Sequence, residues 1–248
     1  MRRFTTLLFL ATLFVGRAAH AQKFPPDKLQ NLKVFPPDIP VRALIDTMRS
    51  FTRALGVRCT YCHVGEEGQP LSSFDFPSDQ KPEKQKARAM LRMVGAINGE
   101  YLTKLVSRRT PQVSVACATC HRGVAIPRPI QQVVLTTYDS AGADSAIAVY
   151  QALRTRYYGR AAYDFGEVPL ADVGESLRAR GKTADALRFY VLNTELLPTS
   201  GFAFREAAQA QLASGDTAAA MHSFQKALAI NPNDRQVKAI LDRLGPRP

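Results

Sequence analysis

The chain is sparing with the residues that most often hold metals. Only four cysteines, four histidines and five methionines occur among its 248 residues. Four cysteines allow two disulfides at most, and four histidines confine any iron or zinc chemistry to a few positions. After the first 21 residues no stretch is apolar enough to cross a membrane, which excludes a multi-span protein. The net charge is +12, yet no run of basic residues forms a compact block, which argues against nucleic acid as the partner. With 46% hydrophobic and 22% charged residues the chain is not disordered either.

What is present at the start is a leader pattern. Met1-Arg2-Arg3 is basic, Phe4 to Val15 is apolar, and Ala19-His20-Ala21 offers small residues two apart before Gln22. This is the anatomy of a secretory signal peptide. The apolar run is shorter than the roughly 20 residues a spanning helix needs, so it fits a cleaved leader better than a retained anchor. Cleavage after Ala21 is expected, giving a periplasmic protein that is not integral to the membrane. It removes Arg2, Arg3 and Arg17 and no acid, so the charge falls by three to +9. A positive balance in an exported protein points to an acidic protein partner.

The remainder divides in three. Residues 22–130 hold a unit written twice, a helix followed by C-x-x-C-H. Pro25, Pro26, Pro36, Pro37 and Pro40 make residues 22–40 an extended lead-in. Val41, Leu44, Ile45, Met48, Phe51 and Leu55 recur at spacings of three and four, predicting an amphipathic helix that Gly56 stops. Residues 64–82 read as a loop. A second helix is expected from Pro82 to about Val106, with Ala87, Met90, Leu91, Val94, Ile97 and Leu102 as its apolar stripe. Residues 131–141 are expected to be a linker following Pro127 and Pro129. From 142 to 245 the chain becomes Ala-rich. Gly181, Ala186, Tyr190 and Pro198 return 34 residues later as Gly215, Ala220, Phe224 and Pro232. That period and those residue types resemble tetratricopeptide (TPR) repeats, here three helical hairpins with an irregular first one. Such repeats stack and leave a groove for a protein or peptide.

The two cysteine pairs carry the chemistry. They read "VRCTYCHVG" from Val57 to Gly65 and "VACATCHRG" from Val115 to Gly123. Cys59, Cys62, Cys117 and Cys120 are compatible with two disulfides, one four-cysteine zinc site, a thioredoxin-like redox pair, or covalent haem. Only haem accounts for the histidine that follows each pair, His63 and His121. Two thiols add to the two vinyl groups of one porphyrin, and the next histidine reaches the iron beneath. Two covalently attached haem c groups are therefore expected.

Each iron then needs a sixth ligand. Once the leader is gone, the remaining histidine is His222, far away in a repeat helix, so bis-histidine ligation at both haems is impossible. The remaining soft ligands are Met48, Met90, Met93 and Met221. Met48 lies on the helix before the first motif, while Met90 and Met93 lie on the helix before the second. Helical methionines usually fill cores, but the same placement before each motif marks them as ligands. Met90 and Met93 are three apart on one helix face, so periodicity does not separate them. Histidine–methionine ligation favours ferrous iron and fills both axial positions, which suits electron transfer rather than catalysis. No catalytic residue is expected.

At these residues the chain resembles a known family. "NLKVFPPDIPVRALIDTMRSFTRALGVRCTYCHVG" and the M-L-x-M-x-x-x-I-N helix before C-x-T-C-H-R-G are similar to the cytochrome c subunit of photosynthetic reaction centres. The likeness covers roughly residues 30–130. It implies haems packed along methionine helices, an electron relay, and Met48 and Met90 as the sixth ligands. The family typically carries four haems and a histidine late in the M-L-x-M helix; this chain has two motifs and reads "GEYLTKLV" there, with Lys104. The expectation is an all-α, two-haem relative with a TPR-like solenoid attached. It would be an electron carrier and not an enzyme, passing electrons between redox protein partners. The rivals are a dihaem peroxidase or dehydrogenase, and a repeat-based assembly scaffold with redox-sensing haems. Arg122 is read as either a propionate partner or a surface charge, and Tyr61 as core.

Overall fold

A computed structural model describes residues 23–106 and 110–245. The leader and its cleavage site lie outside the described residues. The chain divides into two compact units, Met1–Cys117 and Ala118–Pro248. The division falls inside the second C-x-x-C-H motif rather than at residue 130. Among the described residues the regular structure is helical, apart from one isolated bridge between Val64 and Asp75.

In the first unit, the lead-in up to Pro40 forms neither helix nor strand, as its prolines require. Helix α1 spans Val41–Leu55, the span its apolar spacing predicts. Gly56 ends it in the left-handed region, with φ 66°, and donates to the Thr52 carbonyl. One 3₁₀ turn, Cys59–Tyr61, carries the first cysteine pair. A second, Leu71–Ser73, lies in the loop. Helix α2 spans Pro82–Ala96, with Pro82 in its first turn where no N–H is needed. The helix expected to run on to Val106 is irregular past Ala96. It loosens into a π turn at Ile97–Tyr101 and a 3₁₀ turn at Leu102–Lys104. The π turn holds Asn98, which donates to the Val115 carbonyl at 2.8 Å and accepts from the Val115 N–H at 2.7 Å. Single π turns inside α-helices are frequent at functional sites.

Helix α3, Cys117–His121, is the second motif itself. The expected linker over 131–141 is helical instead. It opens α4, Ile130–Tyr157, which follows Pro129 directly. Two facts of the residues explain the correction: a proline just before a helix costs no hydrogen bond, and Ile130 and Val134, one turn apart, are buried. The expected irregular first hairpin is this same long helix, interrupted at Gly142 with φ 79° and ψ −179°. Only glycine enters that region without strain, so one residue redirects the helix where a hairpin would need a loop.

The repeats follow as antiparallel pairs. Helices α5 (Glu167–Ala179) and α6 (Thr183–Leu196) form one, α7 (Gly201–Ala213) and α8 (Thr217–Ile230) the next, and α9 (Arg235–Leu244) closes the array. Gly181 and Gly215 turn each pair with positive φ. Ala186 and Ala220 let the paired helices approach, and Tyr190 and Phe224 fill the space between them; all four are buried. This is a TPR-like solenoid, its core continuous from Val134 and Tyr150 on α4 to Leu177 and Phe189.

Candidate functional site

The first motif sits on a cavity of about 250 Å³ whose walls are almost wholly apolar. Met48 from α1, Cys59, Cys62 and His63 all line it, together with Leu44, Ile45, Phe51, Phe74 and Phe76. The fold thus gathers all four residues the sequence assigns to the first haem. Backbone bonds from Tyr61 to Arg58 and from Cys62 and His63 to Cys59 wind the motif into a tight turn. Lys81, just ahead of α2, holds the Thr60 carbonyl between the two cysteines.

His63 is presented as an iron ligand would be. Its Nδ1 lies 3.3 Å from the Phe76 carbonyl, which only accepts, so Nδ1 carries the hydrogen and the Nε2 lone pair is free. The ring meets Phe76 edge-on at 5.0 Å. Burial, with the nearby Lys84 charge, pushes its pKa down to about 4, against the carbonyl bond that favours the charged form. Neutral imidazole is the ligating form. Burial, reinforced by Glu83, pushes the Cys62 thiol up. Among the described residues no three His, Cys, Asp or Glu side chains cluster as a metal site, and all four cysteines are unpaired.

One rim of the cavity is basic. Arg88, on α2, is buried and donates from Nη2 to the Asn31 carbonyl at 3.1 Å. Its Nη1 approaches Asp79 Oδ1 at 2.8 Å as an ion pair, yet off the hydrogen-bonding line, so this buried N–H has no hydrogen-bond partner. Lys33 and Lys84 meet the same carboxylate at 3.0 and 3.3 Å. The Arg88 guanidinium foremost, then Lys33, Asn31 and Lys84, hold the Asp79 carboxyl well below its usual range. Burial lowers the pKa of Lys84, and Asp79 opposes the shift. Three cations around one carboxylate leave positive charge to spare where Lys84 and Arg88 line the cavity. Apolar walls, two thiols, an oriented imidazole, a thioether and an unsatisfied guanidinium N–H fit a haem with its carboxylates. Bound there, the group would supply an iron that takes up and releases one electron.

The second motif repeats the histidine device. His121 Nδ1 lies 3.0 Å from the Val124 carbonyl, again freeing Nε2. The turn that brings this carbonyl back uses left-handed backbone at Arg122, φ 50°, and Gly123, φ 88°. Arg122 donates to the carbonyls of Thr119 and Ala161, both at 3.3 Å. Its side chain is thus engaged with backbone.

The surroundings differ from the first motif. Cys120 is exposed, and Met90 and Met93 are 41% and 44% exposed. Helix α2 presents Ala87, Arg88 and Leu91 to the first cavity, and neither methionine lines it. The second set of expected ligands is divided between the two units, Met90, Met93 and Cys117 in one, Cys120 and His121 in the other. Three further residues named in the sequence are also placed. Tyr61 lies at the surface, 37% exposed, instead of in the core; the 3₁₀ turn that aims both cysteines inward turns the residue between them out. Lys104 and His222 are exposed. The residues that sequence reasoning missed are Asp79, Lys84, Arg88 and Asn98. Asn98 stood in the quoted M-L-x-M-x-x-x-I-N pattern; no sequence signal marked the others.

The site and the fold define a class: a c-type cytochrome with a helical repeat region. The comparisons specify it further. The family model described as photosynthetic reaction centre cytochrome c subunit matches residues 27–168, more than half of the chain. The chain belongs to that family, a haem-based electron-transfer family. The match runs past the motifs through α4. A curated relative, cytochrome c-554 of Chloroflexus aurantiacus, is 41% identical over 68 residues, which is 27% of this chain and 14% of that protein. The first TPR of Spaghetti (RPAP3), bound to an HSP90 peptide, overlays 46% of this chain and 86% of its own at 16% identity and TM-score 0.32. PcrH from Pseudomonas aeruginosa overlays 47% of this chain and 83% of its own at 20% identity and TM-score 0.29. Among the described residues no helix is long and apolar enough to cross a membrane.

Proposed function

We propose that this chain is a periplasmic dihaem cytochrome c that relays single electrons between redox proteins, with its TPR-like region docking it to a protein or peptide. The first haem is held by Cys59 and Cys62, with His63 and Met48 as axial ligands. The second is held by Cys117 and Cys120, with His121 and Met90 as axial ligands, Met93 being the alternative to Met90. Cleavage after Ala21 exports the chain. The observation that carries the reading is the pair of C-x-x-C-H turns, each with its histidine Nδ1 held by a backbone carbonyl. With both axial positions filled, the protein sets potential through ligands and burial, and partners exchange electrons across the haem edges. The positive balance of the exported chain supports an acidic redox partner.

The test is the intact mass of the exported protein with a pyridine haemochrome count. The expected result is two haem c per chain and the weak red band of iron–methionine bonds. Bare polypeptide, or zinc in place of iron, overturns the reading. One observation favours a second reading, a dihaem redox enzyme: the exposure of both methionines open to the second haem. Rapid binding of carbon monoxide by one haem of the reduced native protein would select it. Capture of a non-redox assembly complex by the repeats would select the scaffold reading instead.

A further inference from the structure

The proximal histidine of the first motif shares its carbonyl with a cation. Lys84 Nζ donates to the carbonyls of Phe76, Pro77 and Ser78 at 2.8, 2.9 and 2.8 Å. Three acceptors at these distances use all three N–H groups of an ammonium. The Phe76 oxygen is the same atom that faces His63 Nδ1 at 3.3 Å. At the second motif, the Val124 oxygen faces His121 at the shorter 3.0 Å, and no Lys or Arg side chain bonds to it among the described residues.

We infer that Lys84 is a positioning residue that raises the reduction potential of the first haem by drawing on the carbonyl that receives the His63 N–H. The inference rests on the dihaem reading above. A carbonyl accepting from an ammonium has less electron density to offer the imidazole N–H. The imidazole then keeps more of its neutral character and donates less charge to iron. Ferric iron, the form such donation stabilises, is disfavoured. The direct field of the ammonium acts in the same sense, since it opposes the extra positive charge of the oxidised centre. In a partly buried site this field is screened far less than at the surface; the Lys84 side chain is 13% exposed. Other charges bear on the same place. Asp79 pulls the opposite way, 3.3 Å from Lys84 Nζ, while Arg88 and Lys33 offset Asp79. Lys81 adds a further cation at the Thr60 carbonyl. A merely structural lysine would fasten the 76–78 loop without its charge mattering.

The test is redox titration of the full-length, haem-loaded protein, wild type against Lys84→Gln and Lys84→Arg. Gln keeps a donor for the loop and removes the charge; Arg keeps both. A Cys117→Ala/Cys120→Ala chain, carrying the first haem alone, identifies the first-haem wave. In Lys84→Gln that wave is expected to move negative by about tenfold in its reduction equilibrium, about 59 mV for one electron, and the other to stay. In Lys84→Arg it is expected to stay near wild type. An unmoved or positively moved first-haem wave in Lys84→Gln overturns the inference, as does an Arg variant that shifts as far as Gln. Should Lys84→Gln not load haem, Asp79→Asn decides. Removing the anion that offsets Lys84 must then move the first-haem wave positive, and any other result counts against the inference. A wild type without haem instead fails the dihaem reading, which the haemochrome count reports separately.

Discussion

The same five-residue signature is set in two different surroundings. The first C-x-x-C-H closes over an apolar cavity that also takes in Met48, and its histidine leans on a carbonyl held by Lys84. The second lies on a short helix with Cys120 exposed, candidate methionines exposed, and a histidine bonded to a carbonyl three residues on. The difference separates two jobs. The motif presents two cysteines and frees the histidine Nε2 in both places, because a helical turn and one returning carbonyl suffice. What surrounds it fixes how dry the site is and how charged its neighbours are, and these set potential and access.

The largest effect that would sharpen this contrast comes from the thiols. Cys59→Ser/Cys62→Ser is expected to halve the haem content and to leave the first cavity unfilled. By analogy with emptied cores, that costs on the order of 3–5 kcal/mol. Cys117→Ser/Cys120→Ser halves the haem content too, but Cys120 is exposed and borders a cavity of about 450 Å³ whose lining is far more polar, so its urea midpoint stays closer to wild type. Equal losses of stability would break the comparison. Next in size is the sixth ligand. Met48→Leu is expected to remove about half of the iron–methionine band, the share of one haem in two. Of Met90→Leu and Met93→Leu, one removes the other half and its neighbour leaves the band intact. If both leave it intact, the second haem lacks methionine ligation.

Much of this was legible in the sequence. Local signals decided what local forces decide: Val41–Leu55 as a helix, Gly56 as its stop, and the 34-residue return of Gly181 and Tyr190. The misreadings came where a residue has more than one use. Pro127 and Pro129 suggest an extended linker, but Pro129 precedes a helix start, and the buried face of Ile130 and Val134 outweighs the breaker pattern. An aromatic side chain such as Tyr61 suits a core, whereas the turn geometry sends it outward. Lys84 and Asp79 carried no periodic or motif signal. Their roles depend on a loop from residue 76 to 79 folding back over His63 and on the lead-in at Asn31 and Lys33, contacts 46 or more residues apart for Asp79.

A moderate effect tests how the second motif is anchored. Asn98 makes two hydrogen bonds with Val115, two residues before Cys117. Asn98→Ala is expected to cost about 1–3 kcal/mol, because two partly buried backbone groups lose their partners. It should also broaden the spectrum of the second haem alone. A change confined to the first haem would reverse the assignment of Asn98 to the second motif.

The smallest effect concerns the basic rim of the first cavity, and it is read against pH. Asp79 is held below the usual carboxylate range by Arg88 first and then by Lys33, Asn31 and Lys84. An unfolded aspartate protonates near pH 3.9. The folded protein keeps Asp79 ionised to lower pH, so below about pH 4 the unfolded state binds the extra proton. The stabilisation is therefore complete above that pH and is lost progressively as pH falls toward the depressed folded value. Asp79→Asn has no such contribution to lose. The gap in urea midpoint between wild type and Asp79→Asn is expected to be widest near pH 5 and to shrink by pH 2.5. A gap that stays constant, or widens with acid, would mean that the carboxylate's charge does no work there and that only the shape of the Asn31–Asp79–Arg88 cluster matters. Only Asp79 differs between the two proteins, so the gap between them reads the first site alone.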